Sequence, residues 1–202
     1  MPAPIDPAER SPLSSEQLVD LLADRVLEAI DLGNGTPIVL IDGRAGSGKS
    51  TLAAALQNRL FQDGESLPRV IHMDDLYLGW TGLEAGVDVL QRFILAPLKV
   101  GKTASWQEFD WALGRRERWR EFAGGTPLII EGVGSLNGVS AEMTELRVWL
   151  EVPEDVRHER WVTRDGHAFD EFWAPWAVQE VEFYQREKSP ELATLLGGLA
   201  VL

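Results

Sequence analysis

Gly43-Arg44-Ala45-Gly46-Ser47-Gly48-Lys49-Ser50 fits the pattern Gly-x-x-x-x-Gly-Lys-Ser, followed at once by Thr51. The chemistry of that pattern is capture of a nucleoside triphosphate. Its glycines let the backbone turn tightly and aim successive N–H groups at phosphate oxygens, at the positive end of the helix that follows. Lys49 adds a point charge near the β- and γ-phosphates, and the Ser50 hydroxyl is a ligand for Mg²⁺. A chance match in a glycine-rich turn would lack the required context. Here the apolar run Pro37 to Ile41 precedes the loop as a strand, and Thr51-Leu-Ala-Ala-Ala-Leu-Gln-Asn-Arg-Leu60 follows it as a strong helix former.

The elements that must position this loop can be read along the chain. Ser14-x-x-Gln17 forms a capping box for a helix from about 15 to 31, with Leu18, Leu21, Leu22, Val26 and Ile30 along one stripe. Gly33-Asn-Gly35 ends it, and the first strand follows. Pro68–Met73, Pro127–Ile130 and Leu146–Val152 read as further strands, and Leu199–Leu202 as a fifth. Helical segments lie between them, so the pattern predicts an α/β fold with a parallel five-stranded sheet flanked by helices. Residues 1 to 12, rich in proline, read as a loose tail on a single domain.

In open parallel sheets, ligands sit beyond the carboxyl ends of the strands. Three of those ends carry acids: Asp42, Asp74-Asp75 and Glu131. Asp42 directly precedes the phosphate loop and reads as its brace. Asp74 and Glu131 converging on Lys49, Ser50 and Mg²⁺ suit phosphoryl transfer, one carboxylate taking the proton of an attacking hydroxyl while the other holds magnesium or its waters. Asp74-Asp75 is equally consistent with a solvated turn.

The order of these motifs resembles the uridine kinase and phosphoribulokinase branch of the P-loop kinases. That branch has the phosphate loop, an Asp-x-Phe-Tyr-like sequence after the second strand, a Glu-Gly after the third, and an arginine-bearing lid helix. Here Asp74-Asp75-Leu76-Tyr77, Glu131-Gly132 and the segment from Pro153 to Asp165 correspond, so the likeness spans roughly residues 36 to 166. It implies a P-loop NTPase fold with ATP and Mg²⁺, Asp74 as catalytic base, Tyr77 lining the acceptor pocket and Glu131 organising the metal. It implies also that Arg160 and Arg164 reach over the triphosphate from the lid. The bland alternative for Arg157, Arg160 and Arg164 is an exposed helix face, since three- and four-residue spacing puts them on one side.

On the acceptor side, Phe109-Asp110-Trp111 resembles the branch's Tyr-Asp-Phe segment, and Asp88 corresponds loosely to its ribose-binding aspartate, with helix capping as the alternative. Where pyrimidine-nucleoside kinases carry a histidine, this chain has Ala112-Leu-Gly-Arg-Arg116. Trp80 lies close enough to Asp74 in sequence to stack on an acceptor. Arg115 opens the dense cationic run Arg115-Arg-Glu-Arg-Trp-Arg120, which reads either as a solvated helix or as a grip on an acceptor anion.

Composition excludes several classes. A net charge of −13 over 202 residues offers no general basic surface, which argues against nucleic acid as a partner. No apolar run approaches a membrane span and the first residues do not form a signal peptide, so a cytoplasmic protein is expected. Zero cysteines and three scattered histidines leave no thiolate or histidine metal site, so the expected metal is the nucleotide's own Mg²⁺. The guanine-recognition motif Asn-Lys-x-Asp and the Asp-x-x-Gly switch of G proteins do not occur. The leading reading is an ATP-dependent kinase for a nucleoside-like or sugar-like alcohol. A nucleoside monophosphate kinase, and a module that binds or hydrolyses ATP without an acceptor, are the alternatives. Oligomeric state is not legible.

Overall fold

A computed structural model describes residues 12–33, 35–64 and 68–198. The main sheet has five parallel strands in the order β2-β5-β1-β6-β7: β1 is Ile38–Gly43, β2 Arg69–His72, β5 Leu128–Glu131, β6 Leu146–Glu151 and β7 Leu195–Gly198. The fifth strand therefore lies just before the segment Leu199–Leu202 expected for it, and that segment, like residues 1–11 of the expected tail, lies outside the described residues.

The alternation of a strand divides the core in two. Val39 and Ile41 of β1, with Val148 of β6, meet α1 (Ser15–Asp31) and α2 (Lys49–Gln62) through Leu18, Leu22, Val26, Leu52, Leu56 and Leu60. Ile38 and Leu40 face the other way, into the larger cluster with Ile130, Leu76, Leu90 and Phe183. Burying each such leucine is worth roughly 1.5–3 kcal/mol, and these contacts hold the phosphate loop between β1 and α2. The capping box read in the sequence starts α1, with Ser14 Oγ accepting from the Gln17 amide at 3.2 Å and the Gln17 side chain accepting from the Ser14 amide at 2.9 Å.

Beyond β2 a 3-10 turn (Met73–Asp75) carries Asp74, and α3 (Leu83–Val89) runs through the π-helical segment Leu90–Leu95 into α4 (Ala96–Lys99). The chain then makes a hairpin of β3 (Ala104–Asp110) against antiparallel β4 (Arg115–Phe122). This corrects the helical reading of Arg115 to Arg120. Cross-strand pairing with β3 decides the conformation there, and the run has no apolar alternation from which a strand could be inferred. On the other flank, α5 (Glu154–Asp165) is the arginine-bearing helix, and α6 (Asp170–Glu187) and α7 (Ser189–Leu192) lead back to β7. Among the described residues no helix is long and apolar enough to cross a membrane.

Candidate active site

Strand order brings the chemistry together. β5 lies between β2 and β1, so the carboxyl ends carrying Asp74, Glu131 and the phosphate loop are neighbours. They line one cavity of about 860 Å³ together with Lys49, Ser50, Arg160 and Arg164. Gly132 makes the close approach of β2 and β5 possible: its φ is +134°, and a Cβ there would collide with Met73, the residue before Asp74.

Within the loop, Gly46 (φ +78°) and Gly48 (φ +98°) adopt left-handed conformations that favour glycine. Gly48 caps α2 without any side-chain hydrogen bond, so the first-turn amides of that helix are left for a ligand in the cavity. Lys49 is 8% exposed and its Nζ donates to the carbonyls of Gly43 at 2.8 Å and Arg44 at 3.1 Å. Ser50 Oγ donates to Glu131 Oε1 at 2.9 Å, and His72 Nδ1 contacts the same oxygen at 2.6 Å. His72 stands opposite Glu131 in the β2–β5 register, and the Glu131 carboxylate holds the imidazole pKa above its ordinary value. Ser50 and Glu131 form a hard oxygen pair suited to Mg²⁺ that keeps water and phosphate ligands. Among the described residues no group of three or more acids, histidines or cysteines is placed to hold a metal without the nucleotide.

Asp74 opens onto the cavity and is exposed by surface area, although protein atoms crowd around its carboxyl. That crowding raises its pKa first, and the nearby charge of Glu131 raises it further, against Lys49 and Arg164. Asp75, beside it, is likewise raised, chiefly by burial and then by Glu108.

The lid arginines divide into different roles. Arg160 donates to the Gly46 and Ser47 carbonyls at 3.3 and 3.4 Å, across the loop. Arg164 lines the cavity, with its guanidinium 5.4 Å from the centre of the Trp161 ring. Arg157 is not on an exposed face: it is 3% exposed and donates to Val152 O and Ala45 O, both at 3.0 Å. A Cβ on Gly46 would strike the Arg157 backbone, so α5 and the loop are packed directly together.

Three residues on α6, Trp176, Glu180 and Tyr184, form a support that the sequence reading did not single out. Glu180 is 1% exposed; Oε1 accepts from the Ala45 amide at 2.6 Å and from Trp176 Nε1 at 3.1 Å, and Oε2 accepts from Arg44 Nε at 3.2 Å. Tyr184 donates to Asp42 Oδ1 at 2.7 Å. Asp42 accepts also from the amides of Gly43, Gly134 and Leu136, which gives the brace read from the sequence a physical form. Full burial raises the Asp42 pKa to about 6, with the Tyr184 bond the largest opposing influence. The four-residue spacing of 176, 180 and 184 on one helix face was the available signal.

Of the residues expected around the acceptor, Tyr77 and Trp80 line the cavity. Tyr77 is 1% exposed and its hydroxyl donates to Val133 O at 2.7 Å. The other three stand elsewhere. Asp88 pairs with Arg92 at 2.6 Å, because one helical turn separates them, and borders a separate surface groove. Asp110 Oδ1 closes the hairpin turn, accepting from the Ala112 and Leu113 amides at 2.9 Å each. Arg115 pairs with Glu117 at 2.9 Å on the outer strand. Arg116 and Arg120 are also engaged within the fold, Arg116 donating to the Gln107 and Leu76 carbonyls and Arg120 pairing with Glu108.

Comparison of the whole fold with solved structures gives extended matches. A protein described as a possible uridine kinase from Bacillus stearothermophilus superposes with a TM-score of 0.65 at 21% identity, over 90% of this chain and 98% of that one. The chain has a P-loop NTPase fold. A protein provisionally described as a fructose transport system kinase from Silicibacter sp. TM1040 shares this fold with a TM-score of 0.57 at 24% identity, over 89% and 98% of the two chains. The YGR205w protein matches at 0.55 and 15%, over 93% and 94%. No family model and no curated protein matches the sequence.

Proposed function

We propose that this protein is an ATP-dependent phosphotransferase that moves the γ-phosphate to a hydroxyl of a small metabolite. The observation that carries the reading is the sharing of one cavity by Asp74, with its raised pKa, and the Lys49, Ser50 and Glu131 cluster. ATP would lie along the loop and the α2 N-terminus, supplying the phosphoryl group and leaving as ADP, with Mg²⁺ at Ser50 and Glu131 neutralising phosphate charge. Asp74 holds the acceptor hydroxyl in line and takes its proton as the oxygen attacks phosphorus. Lys49, Arg160 and Arg164 balance charge on the transferring oxygens. Glu180 and Arg157 keep the loop backbone in place, and α5 shields the site from water, which favours transfer over hydrolysis.

The acceptor class implied by the sequence resemblance is nucleoside-like or sugar-like. The deciding measurement is ADP release from Mg·ATP with and without pooled nucleosides, sugars and vitamins. Stimulation by one pool supports the kinase, whereas saturable ATP binding with acceptor-independent turnover assigns the protein to ATP-binding or ATP-hydrolysing modules.

A further inference from the structure

The acceptor end of the cavity is a wall of aromatic rings. Trp80 is its centre: Phe172 stacks on it at 4.6 Å with planes 6° apart, which fixes its orientation, and Trp111 and Phe169 flank it at 4.9 and 5.2 Å. Trp111 comes from the hairpin turn, and Phe169 from just before α6. Both line the cavity and remain 39% and 38% exposed, while Tyr77, Trp161 and Trp176 behind them are buried. Trp161 and Trp176 also pack against Trp80, at 5.7 and 6.3 Å, so the partly exposed Trp111 and Phe169 are the rings that present an aromatic surface able to take another flat ring.

The polar groups on this wall are largely spent. The Tyr77 hydroxyl is taken by Val133 O, Trp111 Nε1 donates to Asp74 O at 3.0 Å, and Trp176 Nε1 donates to Glu180. The Trp161 indole nitrogen has no hydrogen-bond partner, but the atom is itself buried and so not open to a ligand in the cavity. Asp88, Asp110 and Arg115, which could have met several sugar hydroxyls, sit outside the cavity and are engaged with their own neighbours. Because Trp111 bonds to the backbone of Asp74 itself, the aromatic surface begins directly beside the proposed base, with no polar stretch between them to receive a ribose.

We infer that the acceptor is an alcohol whose hydroxyl stands on, or one carbon from, a flat aromatic or heteroaromatic ring seated against Trp80, Trp111 and Phe169, and is not a polyol or a nucleoside. This rests on the phosphotransfer reading and deepens it. The ring is held by stacking, its hydroxyl reaches Asp74, the oxygen bonds to the γ-phosphorus as the bond to ADP breaks, and the proton passes to the Asp74 carboxylate. A polyol in the same place would lose water from several hydroxyls without replacement partners, and a site discriminates most strongly through such unpaired groups.

The test compares kcat/KM, with Mg·ATP, for benzyl alcohol and 3-pyridinemethanol against glycerol, D-fructose and uridine. In parallel, binding of 3-pyridinemethanol is followed by quenching of tryptophan fluorescence. Arylmethanols are expected to exceed the other acceptors by roughly tenfold or more. Trp111→Ala is expected to raise their KM by about the same factor while ATP affinity holds, and Trp111→Phe, which keeps a ring but not the indole hydrogen bond, to restore most of it. Equal or better turnover of glycerol, fructose or uridine overturns the inference and leaves phosphotransfer standing. Absence of saturable arylmethanol binding overturns it as well. Saturable, Trp111-dependent binding with no ADP formed from any acceptor keeps the flat-ring site and sinks the phosphotransfer reading.

Discussion

Replacing Asp74 by Asn keeps the shape of the side chain and removes its charge and basicity, so two readouts should move in different directions. As a general base, Asp74 is worth ~10²-fold or more in transfer, which is about 2.7 kcal/mol of barrier at 1.36 kcal/mol per tenfold. Its effect on stability has the other sign. Burial and Glu131 raise its folded pKa, so the stability linked to it is complete below the unfolded pKa and is lost as pH rises through the folded one. As pH rises toward 8 the native protein therefore bears the cost of ionising a crowded carboxyl beside Glu131, which the variant lacks. Asp74→Asn should cut acceptor-stimulated ADP release at least a hundredfold, leave calorimetric ATP affinity nearly unchanged, and melt at or above the wild-type temperature at pH 8. The Trp111 bond to the Asp74 carbonyl is retained, because it uses the backbone. Unchanged turnover removes Asp74 from the role of base, and a loss of turnover matched by a fall in melting temperature and ATP affinity makes it a structural residue.

Lys49→Ala should weaken ATP binding and transfer together; wild-type ATP affinity by calorimetry would contradict the assignment of the loop. Glu180→Gln keeps one acceptor oxygen but cannot serve the Ala45 amide, Trp176 and Arg44 as the carboxylate does. It should cost ~1–3 kcal/mol, read as a lower urea midpoint, with a loss of ATP affinity because the loop loosens; an unchanged midpoint would remove Glu180 as the loop's anchor. Mild acid should stabilise the fold. Asp42 favours the native state fully below its unfolded pKa of 3.8 and loses that advantage as pH rises through about 6, an interval worth about 3 kcal/mol at 1.36 kcal/mol per pH unit. The raised pKa values of His72, Asp74 and Asp75 act in the same sense. Denaturant unfolding should therefore give greater stability near pH 5.5 than at pH 8, and the opposite order would show that these groups are not held in the environments described.

The phosphate loop was legible because its function is built from consecutive backbone amides, and consecutive residues are what a sequence displays. The parallel sheet was legible for a related reason: its strands are short apolar runs bounded by turn residues, and each acid of interest follows such a run directly. Two features were not. Arg115 to Arg120 gains its strand conformation from β3, and nothing local to a run of charged residues states which partner it will meet. Arg157 has the helical spacing of Arg160 and Arg164, yet packing of α5 against the loop buries it while leaving the other two at the cavity.

The sequence by itself determined that a triphosphate loop stands between a buried strand and a helix, with Asp74 and Glu131 each following an apolar strand. Tertiary structure alone decided what surrounds that centre. Glu180 reaches Ala45 across 135 residues and Tyr184 reaches Asp42 across 142. Trp80, in a second 3-10 turn (Gly79–Thr81), is met by rings from the hairpin and the α5–α6 region. Such contacts arise from how faces of separate elements pack, and no spacing along the chain encodes them. For that reason the donor half of this site could be read from the chain, and the acceptor half, Tyr77 and Trp80 apart, only from the fold.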